Sequence, residues 1–145
     1  MAKAPFLLGA AFVAVGWGIG RLLPMPLLGR AGDWAALALV LAGGGLMLGA
    51  VVQRARARTT VIPHRQPQAL VTRGVFRLSR NPIYLADAGF LLAAVLWLDV
   101  ALALPLVPVF MLVIRQRFIR SEEARLRAGF GPEFENWAAR TRRWI

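Results

Sequence analysis

The chain has 145 residues, 58% of them hydrophobic, with 18 basic against 7 acidic side chains and a formal net charge of +11. That length makes one domain, and apolar residues in uninterrupted runs place it among integral membrane proteins. The lack of cysteine excludes disulfides, thiolate nucleophiles and Cys-ligated metal, and a single histidine, His64, excludes a multi-histidine metal site. Of the 18 basic residues 17 are arginine, and they flank the apolar runs instead of forming one stripe. Positive-inside topology and contact with anionic membrane lipids account for that pattern, and no nucleic-acid partner is expected.

Residues 6–23 are the first predicted span, uncharged until Arg21, which can snorkel at the far interface. Lys3 ahead of an apolar run resembles a signal peptide, but no clear A-x-A site precedes a polar region and another span follows soon. A retained helix is the reading. The "GWGIG" within it lacks the strand and the acid of a phosphate loop, so it reads as helix packing. After the turn-rich "PMPLLGRAGD", Asp33 is the predicted N-cap of a second helix over 34–52, in which Gly43, Gly44 and Gly45 let a neighbour approach.

Residues 53–81 hold seven arginines and no acid, and Pro63 and Pro67 argue against a continuous helix; this loop is expected on the cytoplasmic side. Only Asp99 separates the apolar runs 82–98 and 100–114. As one helix they would span about 50 Å, against a bilayer core of about 30 Å. A single crossing would also put the clusters at Arg80 and Arg115 on opposite sides. A tight hairpin follows, with Asp99 capping the fourth helix and Pro105 and Pro108 bending it.

The fourth helix is predicted to run on through "RQRFIRSEEARLRAG" and stop near Gly129. Pro132 then opens a last helix whose Phe134, Trp137, Ala138, Thr141, Trp144 and Ile145 share one face, to lie in the interface or cover a cytoplasmic pocket. The predicted fold is an all-α membrane protein of about four transmembrane helices plus this C-terminal helix. It forms a single domain over 1–145, with two spans in 1–52, a loop over 53–81 and the hairpin and tail over 82–145. Four crossings place both termini in the cytoplasm of a multi-pass protein in the cell (inner) membrane.

Chemistry concentrates in "SRNPIYLADAGF". Asn81 is a good N-cap and Pro82 a good first helical residue, while Arg80 and Tyr84 are types common at interfaces. Asp87 falls one turn inside an apolar helix, where an ionisable group marks a functional site by default or a salt bridge to Arg80 or Arg77. In "RSEEARL", Glu122 and Glu123 point about 100° apart on a helix, so at most one faces a given pocket squarely. Such a carboxylate could hold a ribose diol or an ammonium group; the plain alternative is surface pairing with neighbouring arginines.

Three stretches occur in order: "TTVIPHRQPQALVTRGVFRLSRNPIYLA", a hairpin, then "RSEEARLRAGFGPEFENWAARTRRWI". In them residues 58–145 resemble the isoprenylcysteine carboxyl methyltransferase and phospholipid methyltransferase family of membrane enzymes. Arg80, Asn81, Pro82 and Tyr84 match its arginine–His/Asn–Pro–x–Tyr motif, although many members carry His where Asn81 stands. Glu122 and Glu123 match its double-Glu motif, Phe130, Gly131 and Phe134 its Phe-Gly turn, and Arg143 and Trp144 its closing pair.

The resemblance implies methyl transfer from S-adenosylmethionine, bound by the C-terminal part, to a lipophilic small-molecule or lipid acceptor that enters between helices, with no metal. Asn81, Pro82, Tyr84, Glu122, Glu123 and Trp137 are the implied cofactor-binding residues. Arg80 could grip a carboxylate, and Asp87 could orient or deprotonate the acceptor. The C-terminal pattern is also similar to that of NADPH-dependent membrane sterol reductases, and a non-catalytic module binding anionic lipid is a third reading.

Overall fold

A computed structural model describes residues 4–59 and 67–145; Pro63 and His64 lie outside the described residues. Every regular element among them is helical: α1 (Ala4–Leu22), α2 (Arg30–Arg56), α3 (Pro82–Trp97), α4 (Leu106–Ile114), α5 (Arg120–Phe130) and α6 (Pro132–Arg140). A π-helical turn over Arg115–Ile119 fuses α4 and α5 into one rod. Short 3-10 turns over Gly74–Arg77 and Ala101–Ala103 precede α3 and α4.

The 19 residues of α1 and 27 of α2 extend about 28 and 40 Å at 1.5 Å per residue, enough for a hydrocarbon core of about 30 Å. Residues Ala101–Phe130 form the third segment long and apolar enough to cross, and α3, at 16 residues, is shorter. Large apolar side chains face outward along these helices, Leu22 at 81% exposure and Trp34 at 74% among them. Water would penalise such a surface, while lipid accepts it. This is an all-α membrane protein.

The helices alternate in direction around α3. Tyr84, Ala88 and Leu91 of α3 pack with Phe110 and Ile114 of α4 and with Phe118 and Ile119, and Leu8 and Phe12 of α1 close that core. On the other side Ala36 of α2 meets Ala93 and Leu96. Close approach needs small residues at several places, Gly43 and Gly20 among them. A Cβ on Gly43 would lie 2.8 Å from the Phe90 ring, and one on Gly20 would lie 2.5 Å from Cγ2 of Val100. Gly44 and Gly45, expected to serve the same purpose, face open space.

The predicted hairpin is present, but Asp99 caps something else. Its Oδ1 accepts backbone N–H bonds from Leu27 and Leu28 at 2.8 Å and from Gly29 at 3.1 Å, which ties the α3–α4 tip to the α1–α2 loop. Those donors, Leu28 first, hold the Asp99 carboxyl below the usual carboxylate range. Ala101 N–H donating to the Met25 carbonyl at 3.0 Å completes the lock. The fourth helix instead starts with Pro105 at its N-cap, and Pro108 falls in its first turn, where a missing N–H costs no hydrogen bond.

Two boundaries move for electrostatic reasons. Helix α2 starts at Arg30, with Asp33 in its first turn instead of at the cap, and it continues through Arg54 and Arg56. A carboxylate near the N-terminus and cations in the last turn both suit the helix dipole. At the tail α6 stops at Arg140, so Trp144 and Ile145 follow outside any helix instead of sharing the helical face.

Substituting alanine at two glycines of α1 separates packing from propensity. Gly20→Ala should destabilise the protein by about 1–3 kcal/mol, because the β-branched Val100 cannot swing clear. Gly18→Ala, which meets nothing within 4 Å, should be neutral or raise stability by up to about 1 kcal/mol. Thermal melts of the two variants in one detergent compare them directly.

Candidate active site

At the end of the bundle opposite Asp99, a cavity of about 200 Å³ opens among α1, α2, α3 and α5. Tyr84 and Asp87, three residues apart, point from adjacent turns of α3, and Asn81 at its N-cap and Pro82 line the same cavity. Glu122 enters from α5, Met47 and Arg54 from α2, and Pro5 and Phe6 from α1. Arg54 and Glu122 pair at 3.1 Å, and the Tyr84 hydroxyl makes a long 3.4 Å bond to the other Glu122 oxygen. The Arg54 guanidinium also sits over the Phe76 ring, 5.3 Å from its centroid.

Asp87 differs from Glu122 in having no hydrogen bond or ion pair among the described residues, although it is half-buried in the apolar helix α3. Neither Arg80 nor Arg77 reaches it.

The remaining candidates lie next to this cavity. Arg80 and Trp137 line a small cleft of about 20 Å³ that shares Arg54 and Glu122 with it. Trp137 is buried against Phe134 and donates its indole N–H to the Phe76 carbonyl at 3.0 Å. Arg80 buries an Nε–H that has no hydrogen-bond partner among the described residues.

Glu123 turns from the cavity into a latch. It takes two hydrogen bonds from Arg143, at 2.9 and 2.7 Å, and lies 3.4 Å from Arg80. The backbone of the same strap is held from α3's approach. The carbonyl of Arg143 accepts from Asn81 Nδ2 at 3.0 Å and Ser79 Oγ at 3.2 Å, and the Arg80 N–H donates to the Arg142 carbonyl at 3.0 Å. Asn81 thus occupies the N-cap position of α3 while its side chain makes no capping bond and anchors the tail instead. Burial alone would raise Glu123, but the Arg143 hydrogen bonds and the Arg80 charge outweigh it and hold the carboxyl below its ordinary value. The same hydrogen bond raises Arg143, and burial lowers Arg80.

Sequence reasoning missed Arg54 because the second helix was expected to end at Val52. Met47, Ala50 and Arg54 recur at i, i+3 and i+7, the signal that one more turn would bring the arginine onto the buried face. Among the described residues no cluster of His, Cys, Asp or Glu could hold a metal ion.

A helical membrane bundle with a polar cavity at one end, built from the start of α3 and a carboxylate of α5, defines the class. Residues 32–133 match the family model described as "Phospholipid methyltransferase", and the chain belongs to that family. Two relatives, from Oryza sativa subspecies indica and japonica, bear the name "Probable protein-S-isoprenylcysteine O-methyltransferase". Each is 38% identical over 112 residues, 73% of this chain and 56% of theirs, so the chain spans about half the length of these curated relatives. An "Uncharacterized protein" of Haemophilus influenzae is 41% identical over 63 residues, 43% of this chain and all of that one. No solved structure matches the chain significantly.

The latch has a signed pH dependence. A carboxyl held low in the folded state stabilises it fully above its ordinary pKa of 4.5, and that contribution is lost as pH falls through the lowered value. Glu123→Gln should therefore cost about 1.5–3 kcal/mol near pH 7, with the gap to the unmodified protein closing below pH 4.5. Melting both proteins between pH 7 and pH 3 checks the sign, and a gap that widens in acid contradicts it.

Proposed function

We propose that this protein is a membrane methyltransferase that uses S-adenosylmethionine to methylate a lipophilic acceptor. One observation carries the reading: Asn81, Pro82, Tyr84, Asp87 and Glu122, far apart in two motifs, line a single cavity. Its position among the arginines favours the cytoplasmic face of the cell membrane, with both termini on that side. Among the described residues only Arg21 and Arg30 lie toward the other end.

The residues fit the charged amino-acid end of such a donor. Glu122 suits an ammonium or a diol, and Arg54 or Arg80 a carboxylate. A cavity of about 200 Å³ is smaller than the roughly 300–1,000 Å³ of a complete ligand site. The neighbouring cleft of Arg80 and Trp137, about 20 Å³, shares Arg54 and Glu122 with the cavity, so room for the adenosyl part on that side requires the Arg54–Glu122 pair to move. Loosening that pair joins the two spaces.

When bound, a methyl sulfonium supplies an electrophilic methyl and its own leaving group. The chain's residues then have three tasks. Arg54, Arg80 and Glu122 orient charged groups; Phe6, Met47 and Pro82 exclude water; and Asp87 orients the acceptor or takes its proton.

Purified protein should be stabilised thermally by S-adenosylhomocysteine and not by NADPH. Stabilisation by NADPH alone indicates a reductase, and response to neither indicates a non-catalytic module. Glu122→Gln should weaken S-adenosylhomocysteine binding at least tenfold, about 1.4 kcal/mol, while Arg117→Gln, an exposed charge, should leave it unchanged. Orientation is read by single-cysteine labelling in this cysteine-free chain. Cysteine at Arg73 should react from the cytoplasmic side and cysteine at Leu102 from the opposite side, and the reverse pattern inverts the assignment.

A further inference from the structure

A second polar pocket, of about 490 Å³, opens at the arginine-rich end between the last turn of α2 and the loop leading to α3. Gln53 and Arg56 line it from α2, and Thr72 and Arg73 from the loop. It shares no residue with the cavity of Asn81 and Glu122, and only Leu70 and Val71 with the cleft of Arg80 and Trp137. Its two walls are pressed together. A Cβ on Gly49 of α2 would lie 2.9 Å from Cγ1 of Val75, and one on Gly74, where φ is +57°, would collide with the Gln53 amide.

The charges in this pocket are one-sided. Arg54, Arg80, Arg127 and Arg143 each pair with a carboxylate. Arg56 and Arg73 make no hydrogen bond or ion pair among the described residues, and no acid lines the pocket they share. Two guanidiniums brought together from separate elements without an acid favour an anion between them, and their planar forks suit phosphate oxygens. Gln53 adds a second requirement: its Oε1 is buried with no hydrogen-bond partner among the described residues. A buried acceptor needs a donor, which a hydroxyl on the ligand would supply.

Depth selects the source of that phosphate. Val51 and Val52, 39% and 36% exposed, are the last apolar residues of α2 to face outward. From Trp34 to Val52 the helix covers about 27 Å at 1.5 Å per residue, close to one hydrocarbon core, so Gln53 and Arg56 follow at headgroup depth. A zwitterionic headgroup would bring its own cation beside two arginines, whereas an anionic one with hydroxyls would not.

We propose that this pocket is a lipid site separate from the methyl-transfer cavity, in which Arg56 and Arg73 hold the phosphate of an anionic, hydroxylated headgroup and Gln53 accepts from its hydroxyl. A lipid seated there ties the end of α2 to the loop before α3.

Native mass spectrometry of the full chain, released from detergent with equimolar phosphatidylglycerol and phosphatidylcholine, tests the proposal. One phosphatidylglycerol should be retained at least tenfold in preference to phosphatidylcholine. Phosphatidylmethanol, of the same charge but without a hydroxyl, should be retained at least threefold less than phosphatidylglycerol. Changing Arg56→Gln and Arg73→Gln together should abolish the preference. Gln53→Glu, which keeps the shape and adds a negative charge, should do the same and serves if the double variant misfolds. Arg115→Gln with Arg117→Gln, exposed charges outside the pocket, should leave the preference unchanged. Excess sn-glycerol 3-phosphate or inorganic phosphate should not displace the lipid, and displacement by either assigns the pocket to a soluble phosphate and overturns the lipid site.

Equal retention of the two anionic lipids, or equal losses from the two arginine pairs, overturns it as well, the latter by reducing the effect to the general charge of +11. S-adenosylhomocysteine binding should be unchanged in the pocket variants, and its loss would make the pocket part of the donor site instead. Failure of the wild-type chain to bind S-adenosylhomocysteine, with the lipid preference intact, overturns the methyltransferase reading and leaves this site standing.

Discussion

The clamp between Glu123 and Arg143 orders the functional end of this protein. It is a two-point, charge-assisted contact between α5 and the C-terminal strap, backed by Arg80. Side chains one residue apart on a helix diverge by about 100°, so fixing Glu123 toward the tail turns Glu122 the other way, into the cavity. The Arg143 carbonyl then fixes Asn81 and Ser79, which sets where α3 begins. One acid of the pair therefore holds the architecture and the other is available for chemistry.

That division bears on how charge is tolerated near lipid. Glu122, Glu123 and Asp99 each have partners that compensate them: an arginine, two arginines and three backbone N–H groups. Asp87 is the exception, in the most apolar setting of the four. An uncompensated charge persists in such a place only when the rest of the fold over-determines it, and α3 is packed by α1, α2 and α4 at once.

The two ends of the bundle are locked by different means. At the Asp99 end a carboxylate gathers loop N–H groups, a compact device suited to a two-helix turn. At the arginine-rich end long side chains reach between helices and strap, leaving space among them. The end with space carries the cavity.

Much of this was legible in the sequence. Apolar run lengths and the placement of arginines fixed an alternating bundle, because a hydrocarbon core of about 30 Å admits only certain lengths and cations stay at its edges. The concentration of Asn81, Tyr84 and Asp87 in the first turns of one helix was visible too, since helix geometry is local. Local pattern could not tell Glu122 from Glu123, nor reveal that Asn81 would spend its amide on Arg143 instead of a cap, nor send Asp99 to Leu27 and Leu28. Each of those outcomes depends on a partner between 20 and 72 residues away, and a side chain with several adequate partners is committed only when packing brings one within reach. Arg54 was hidden for the same reason. Its helix continues because Glu122 and the Phe76 ring receive the charge, and only the tertiary structure places them there.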